Sequence, residues 1–181
     1  MDTDHAAEPP RIEYTSVFPS GARAMVGLQR AIDGAGLEPL LLELVKMRAS
    51  QINGCAYCLD MHSKDARALG ESEQRLHLLA AWREASCYDA RERVALAWCE
   101  ELTLIWKQGA PDAVYEELAR TFAPAEIVAL TLAIVAIKRL EPAGDLHART
   151  GRRIRLTAPP ASNARERRRH PNTTNRSERC P

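Results

Sequence analysis

The chain has 181 residues, 45% hydrophobic and 27% charged, with a formal charge of +1 at neutral pH. That is enough for one domain with a real core. Aromatic residues make up only 5% and glycine is sparse, which argues against an all-β fold. No apolar run approaches the roughly 18 residues of a spanning helix.

Met1 to about Pro19 is polar and proline-interrupted, and reads as an extended arm over residues 1–19. It has no apolar segment of a secretory signal, so the expected compartment is the cytoplasm. Ala22 to Gly34 places Met25, Val26, Leu28 and Ile32 near helical spacing. Pro39 suits a first helical position, and Leu40, Leu41, Leu44, Val45 and Met47 then predict a buried helix ending near Ser50. Asn53-Gly54 signals a turn. The next helix is expected from Cys55 to Leu69, with Gly70 as its left-handed stop. Ser72 to Ser86 carries Leu76, Leu79 and Trp82 and reads as another helix. Asp89 and Glu92 have capping-box spacing and open a long helix running to Ile105. Pro111 and Pro124 each look like first-turn prolines. The segment Pro124 to Ile137 is apolar on nearly every side and is expected at the centre of the core. The sum is an all-α, single-domain bundle of roughly six or seven helices over residues 20–137.

Lys138 to Pro181 is a different polymer. It holds 12 Lys+Arg against 4 Asp+Glu and no Phe, Tyr or Trp. It cannot bury enough apolar surface to offset its ordering entropy, so residues 138–181 read as a basic, disordered tail. Such a tail could touch phosphates but carries nothing that reads bases, so no specific nucleic-acid partner is expected.

The chemistry is concentrated in one place. In a cytoplasmic protein, a close cysteine pair is catalytic or metal-binding more often than structural. Cys55 and Cys58 follow a turn and open a helix, three residues apart and therefore on one face. The unpaired N–H groups of a first helical turn favour thiolate over thiol. His62, four residues after Cys58, shares that face and could take its proton. Glu43 lies in an otherwise apolar helix, as a buried, paired carboxylate would. If that helix packs antiparallel across the turn, Glu43 can orient His62 in the manner of a triad. On this reading Cys55 sits at the exposed turn and Cys58 lies deeper. The rival reading is a metal site, with His62 as third ligand and Glu43 as fourth. A thioredoxin-like fold would need a strand before the motif, where this chain has a helix. Cys87 and Cys99 read as core residues, Cys180 as incidental, His77 as structural, and His5, His147 and His170 as lying in mobile regions. Trp82, Trp98 and Trp106 read as core or subunit-interface residues.

The run Lys46-Met47-Arg48-Ala49-Ser50-Gln51-Ile52-Asn53-Gly54-Cys55-Ala56-Tyr57-Cys58, preceded by Glu43 and followed by Met61-His62, resembles the carboxymuconolactone decarboxylase family. The cysteine pair is similar to that of its alkylhydroperoxidase D-like branch. So are Lys64-Asp65-Ala66-Arg67, Leu78 to Glu84, and Leu130 to Ile137. The resemblance implies an all-helical homo-oligomer, often a trimer or a trimer of dimers, that reduces hydroperoxides without haem, flavin or any other cofactor. Cys58 would be the peroxidatic thiol, Cys55 the resolving thiol, and His62 with Glu43 the proton relay. The reductant would be an external dithiol, lipoyl-type or thioredoxin-like. The chain departs from the pattern at Tyr57, where the best-described members carry a second histidine. It departs again after Ile137, where the branch continues with an Asn- and Trp-containing segment. That second departure reads as a shifted frame or deletion near codon 138. The alternatives are a non-catalytic metal-binding or redox-sensing oligomer, a structural oligomer with a vestigial site, and a decarboxylase-like enzyme.

Overall fold

The structure, a computed structural model, describes residues 12–148, with side chains as far as residue 137. Among the described residues every regular element is helical. In chain order they are α1 (Tyr14–Val17), α2 (Pro19–Asp33), α3 (Pro39–Asn53), α4 (Ala56–Ala68), α5 (Glu73–Leu78), a 3₁₀ turn (Leu79–Ala81), α6 (Ala90–Thr103), α7 (Ile105–Gln108), α8 (Asp112–Thr121) and α9 (Pro124–Ala148). The all-α class is as the sequence implies. The number of helices exceeds six or seven because two of them, α1 and α7, are single turns of 4 residues.

Each boundary has a local cause. Pro19, Pro39 and Pro124 stand at the first position of α2, α3 and α9, where a missing N–H costs nothing. Pro111 sits one place earlier than expected, as the N-cap of α8. The predicted arm is shorter than residues 1–19. The carbonyl of Glu13 accepts bonds from the N–H groups of Ser16 and Val17, closing α1. Asp89 and Glu92 form the complete reciprocal capping box of α6. That helix breaks at Leu104, so Ile105 begins α7 and does not end α6.

The helix read over Ser72–Ser86 is cut short at Leu78. The reason is tertiary. Arg93 of α6 donates to the carbonyls of Tyr88 at 3.0 Å, Arg83 at 3.1 Å, and Ala85. Those acceptors are satisfied from outside, and no helical ladder is needed to pair them. At the other end, α9 runs to Ala148, beyond the boundary read at residue 137. Extending an existing helix costs far less than nucleating one. The basic, aromatic-free composition after Lys138 is why the sequence suggested a stop there. Residues 149–181, including Cys180 and His170, lie outside the described residues, as do His5 and the side chain of His147.

The central element is α3, packed against α4, α6 and α9. One side of it, with Leu41, Leu42, Val45 and Ala49, joins a core shared with α6, α8 and α9. The other side, with Leu44 and Met47, joins a second core with Leu76, Leu79, Trp82 and Leu96. Residues 41–47 are therefore all buried, charged Glu43 and Lys46 included. α9 is less enclosed than its apolar sequence suggests. Leu130, Ala133, Ile134 and Ile137 are buried, whereas Val128, Leu132 and Val135 face outward.

Candidate functional site

The site lies where α3 hands over to α4. Gly54 holds a left-handed conformation (φ 71°, ψ 26°), and its N–H and that of Cys55 return to the carbonyls of Gln51 and Ser50. This closing pattern, with φ > 0 at the turn, suits glycine. It reverses the chain so that α4 packs back along α3. Cys55 becomes the N-cap of α4, and its sulfur accepts the Cys58 N–H at 3.3 Å.

The two reduced cysteines stand with their sulfurs 2.7 Å apart. Their exposures, 7% for Cys55 and 4% for Cys58, are nearly equal. The expectation of an exposed Cys55 and a deeper Cys58 is thus corrected. One turn on, His62 is buried on the same face of α4. Its Nδ1 lies 2.8 Å from Glu43 Oε2, across from α3. Lys46 Nζ donates to the other oxygen of Glu43 at 2.9 Å. Burial by itself would raise the Glu43 pKa, but hydrogen bonds from His62 and Lys46 outweigh it and hold the carboxyl below its ordinary range. An ionised Glu43 accepts, so Nδ1 of His62 must carry the hydrogen. Its Nε2 is then the basic nitrogen, buried and without a hydrogen-bond partner.

All four residues singled out from the sequence, Cys55, Cys58, His62 and Glu43, are thus gathered as two contacting pairs. Two further members escaped that reading. Lys46 is buried against Glu43. Asp65, exposed and three residues past His62, offers a carboxylate oxygen that lies with donor atoms of Glu43 and His62 inside a 4.8 Å group. The spacing of both was visible, at i+3 from their partners, but each alone looks like a solvated lysine or aspartate. Tyr57 is half-buried beside the pair.

A tetrahedral metal centre would need both sulfurs, His62 and Glu43 around one point. Among the described residues, the donors that converge are Glu43, His62 and Asp65, without either sulfur. Glu43 is also already held by Lys46, a cation that a metal would have to displace. These residues do not fit the four-ligand site. Cys87 and Cys99 are fully buried in the core as read, and burial pushes the Cys99 thiol up to about 12. Trp82 and Trp98 are core residues bonded to Glu100 and Thr131, while Trp106 is 74% exposed. His77 is exposed and lines an open groove of about 390 Å³ against Ala56, Asp60, Ser63 and Arg67, a different face of α4 from the cysteines. No helix among the described residues is long and apolar enough to cross a membrane.

Comparison with known proteins agrees with this architecture. Residues 19–101 match the carboxymuconolactone decarboxylase family. The uncharacterized protein YdfG of Bacillus subtilis (strain 168) is 37% identical over 124 residues, 68% of this chain and 84% of that protein. A crystal structure of a protein of unknown function from Agrobacterium tumefaciens, provisionally assigned to antioxidant defence as AhpD, superposes with a TM-score of 0.72 at 39% identity. The match covers 77% of this chain and 96% of that one. The debrominase Bmp8 shares the fold, with a TM-score of 0.64 at 22% identity over 72% of each chain. On the strength of the matched sequence, the helical architecture and the paired cysteines, the chain belongs to the carboxymuconolactone decarboxylase family and to its alkylhydroperoxidase D-like branch.

Proposed function

We propose that the protein is a thiol-dependent peroxidase that reduces hydroperoxides through Cys58 and Cys55. The observation that carries this reading is a pair of touching sulfurs at the start of α4, on the helix face that one turn later carries a buried imidazole whose free nitrogen is set by an ionised carboxylate. His62 takes the Cys58 proton on Nε2. The thiolate attacks the terminal peroxide oxygen; an S–O bond forms and the O–O bond breaks. The leaving alkoxide recovers the proton from His62, so thiol and hydroperoxide become Cys58 sulfenic acid and alcohol, or water when the substrate is hydrogen peroxide. The Cys55 sulfur then attacks Cys58, an S–S bond forms, and hydroxide leaves with the Cys55 proton as water. An external dithiol, lipoyl-type or thioredoxin-like, regenerates both thiols by exchange and is itself oxidised to its disulfide. Nothing in this cycle calls on a cofactor. The relative provisionally assigned to antioxidant defence supports the reading.

The choice between the thiols rests on competing geometry. The first-turn N–H of α4 points at Cys55, whereas His62 follows Cys58 by one turn. Only a base can both remove and return the proton, which favours Cys58 as nucleophile. A homo-oligomer in the cytoplasm is part of the same proposal, and the outward apolar row Val128, Leu132 and Val135 supports the oligomer. The test is steady-state peroxide consumption with a dithiol. Wild type should turn over and Cys58→Ser should not. Wild-type turnover by Cys58→Ser would overturn the assignment.

A further inference from the structure

We propose that Lys46 is a positioning residue: by clamping one oxygen of Glu43 it turns the other onto Nδ1 of His62 and leaves Nε2 bare to accept a proton. The carboxylate is divided between two helices. Oε1 accepts from Lys46 Nζ at 2.9 Å, and Oε2 lies 2.8 Å from His62 Nδ1. Lys46 and Glu43 stand three residues apart on one face of α3, whereas His62 comes from α4. Among the described residues these are the two ion pairs that Glu43 makes. The last torsion of a glutamate is broad, so one bond to a ring on another helix would leave the carboxylate able to pivot. A second bond, from a donor on its own helix, removes that freedom.

The residue type at position 46 matters. Lysine is rarely buried unless paired, and Lys46 is only 7% exposed. A buried ion pair adds little stability over apolar residues of the same size. Leu44, Val45 and Met47 around it are buried and apolar, so packing alone would be served by another such side chain. What an apolar residue could not do is keep Glu43 an acceptor. A glutamate and a histidine can share a hydrogen bond in two ways. In one, a carboxylate accepts from Nδ1–H and Nε2 is bare. In the other, Glu43 takes up a proton and donates to Nδ1, and the ring hydrogen sits on Nε2, which can then accept nothing from Cys58. The second arrangement would leave the buried Lys46 ammonium without its counter-charge, which is costly. The neighbouring cations of the two helices are spent elsewhere: Arg48 on Glu100 at 2.8 Å, and Lys64 on Asp60 at 2.6 Å. Nε2 of His62 is indeed the buried nitrogen left without a partner.

This deepens the peroxidase reading, on which the task of Nε2 rests, by naming what holds its base in order. The experiment reads the ring itself, so the two can fail separately. The full chain, carrying isotopically labelled histidine, is studied by long-range proton–nitrogen NMR at neutral pH, with His62→Asn used to assign the signal. Wild type should show hydrogen on Nδ1 and a bare Nε2. In Lys46→Met the major form should carry its hydrogen on Nε2. Lys46→Arg, which keeps a cation able to donate to Oε1, should return the wild-type pattern. Peroxide turnover should fall about ten- to hundredfold in Lys46→Met, a part of the roughly 100- to 10,000-fold that a general base supplies. In a Glu43→Gln background, adding Lys46→Met should cost less than about twofold more, because the two residues act through one another. That double variant buries no unpaired charge and keeps the test open if Lys46→Met alone does not fold. A wild-type tautomer in Lys46→Met overturns the proposal. So does a Lys46→Arg ring as disturbed as that of Lys46→Met, which would mark a packing role. A further loss of about tenfold in the Glu43→Gln background also overturns it, since Lys46 would then act independently of Glu43. If wild type consumes no peroxide while the tautomer shifts as stated, the peroxidase reading falls and the clamp stands.

Discussion

Glu43 is the residue on which the site turns, because it is an ionised carboxylate inside an apolar helix. Its folded pKa is held down, so the sign of its pH effect is fixed. Its contribution to stability is present above the unfolded value of about 4.3 and is lost as pH falls through the folded one. Denaturant midpoints measured from pH 7 to pH 3 should therefore fall for wild type below about pH 4. In Glu43→Gln the decline should be shallower from a lower start. A gap between the two that stays constant across the range would contradict this. At His62 the expected effect is on rate. Replacing a general base typically costs about 100- to 10,000-fold, so His62→Asn should lose peroxide turnover on that scale and keep its helical circular dichroism. A loss below about threefold would remove His62 from the relay. Spacing alone brought out His62, since a face of α4 holds Cys58 and His62 one turn apart. Lys46 and Asp65 were not legible in the same way. Each stands three residues from a partner on its own helix, a spacing that solvated surface pairs share, and what gathers them at one site is the packing of α4 on α3.

Among the elements, those built by local chemistry were the readable ones. The first-turn prolines of α3 and α9, the capping box of α6 and the left-handed glycines at 54 and 70 all do in the fold what their residue types dictate. α5 was misjudged because its end is set by α6. Arg75, 1% exposed, reaches Glu71 at 2.8 Å and Glu92 at 2.7 Å, donates to the Cys87 carbonyl and lies over the Tyr88 ring at 4.8 Å. Breaking a buried pair of this kind typically costs about 3–5 kcal/mol. Arg75→Ala should therefore unfold at a denaturant concentration far below that of wild type, whereas Asp89→Ala should lose about 1 kcal/mol with its cap. Equal midpoints for the two variants would contradict the account of α5. Glu100, about two turns beyond Glu92 on α6, plays a similar part, collecting Arg48, Arg83 and Trp82. These contacts cross 17 to 52 residues of chain, which is why periodicity does not reveal them.

For the molecule as a whole, the bundle is organised around α3 and leaves one apolar row of α9 uncovered. That row tests the oligomeric part of the functional proposal. Replacing Val128 and Val135 with aspartate should move a wild-type oligomer to a later elution volume in size exclusion, with the helical spectrum retained. A wild-type chain that elutes as a monomer would contradict it. The fold class was legible because helical spacing and stop signals agree along residues 20–137. The extent of α9 was not, since the change in charge and the absence of aromatic residues after Lys138 pointed to an earlier end.

The central claim is that Cys58 is oxidised by peroxide and Cys55 resolves it, and one measurement addresses it without a reducing partner. Cys55→Ser and Cys58→Ser are each treated with one equivalent of hydroperoxide and a sulfenic-acid trap, and the modified residue is located by mass spectrometry. The account predicts a trapped sulfenic acid on Cys58 in Cys55→Ser and none on Cys55 in Cys58→Ser. The adduct on Cys55 in Cys58→Ser, with none on Cys58 in the other variant, would contradict it.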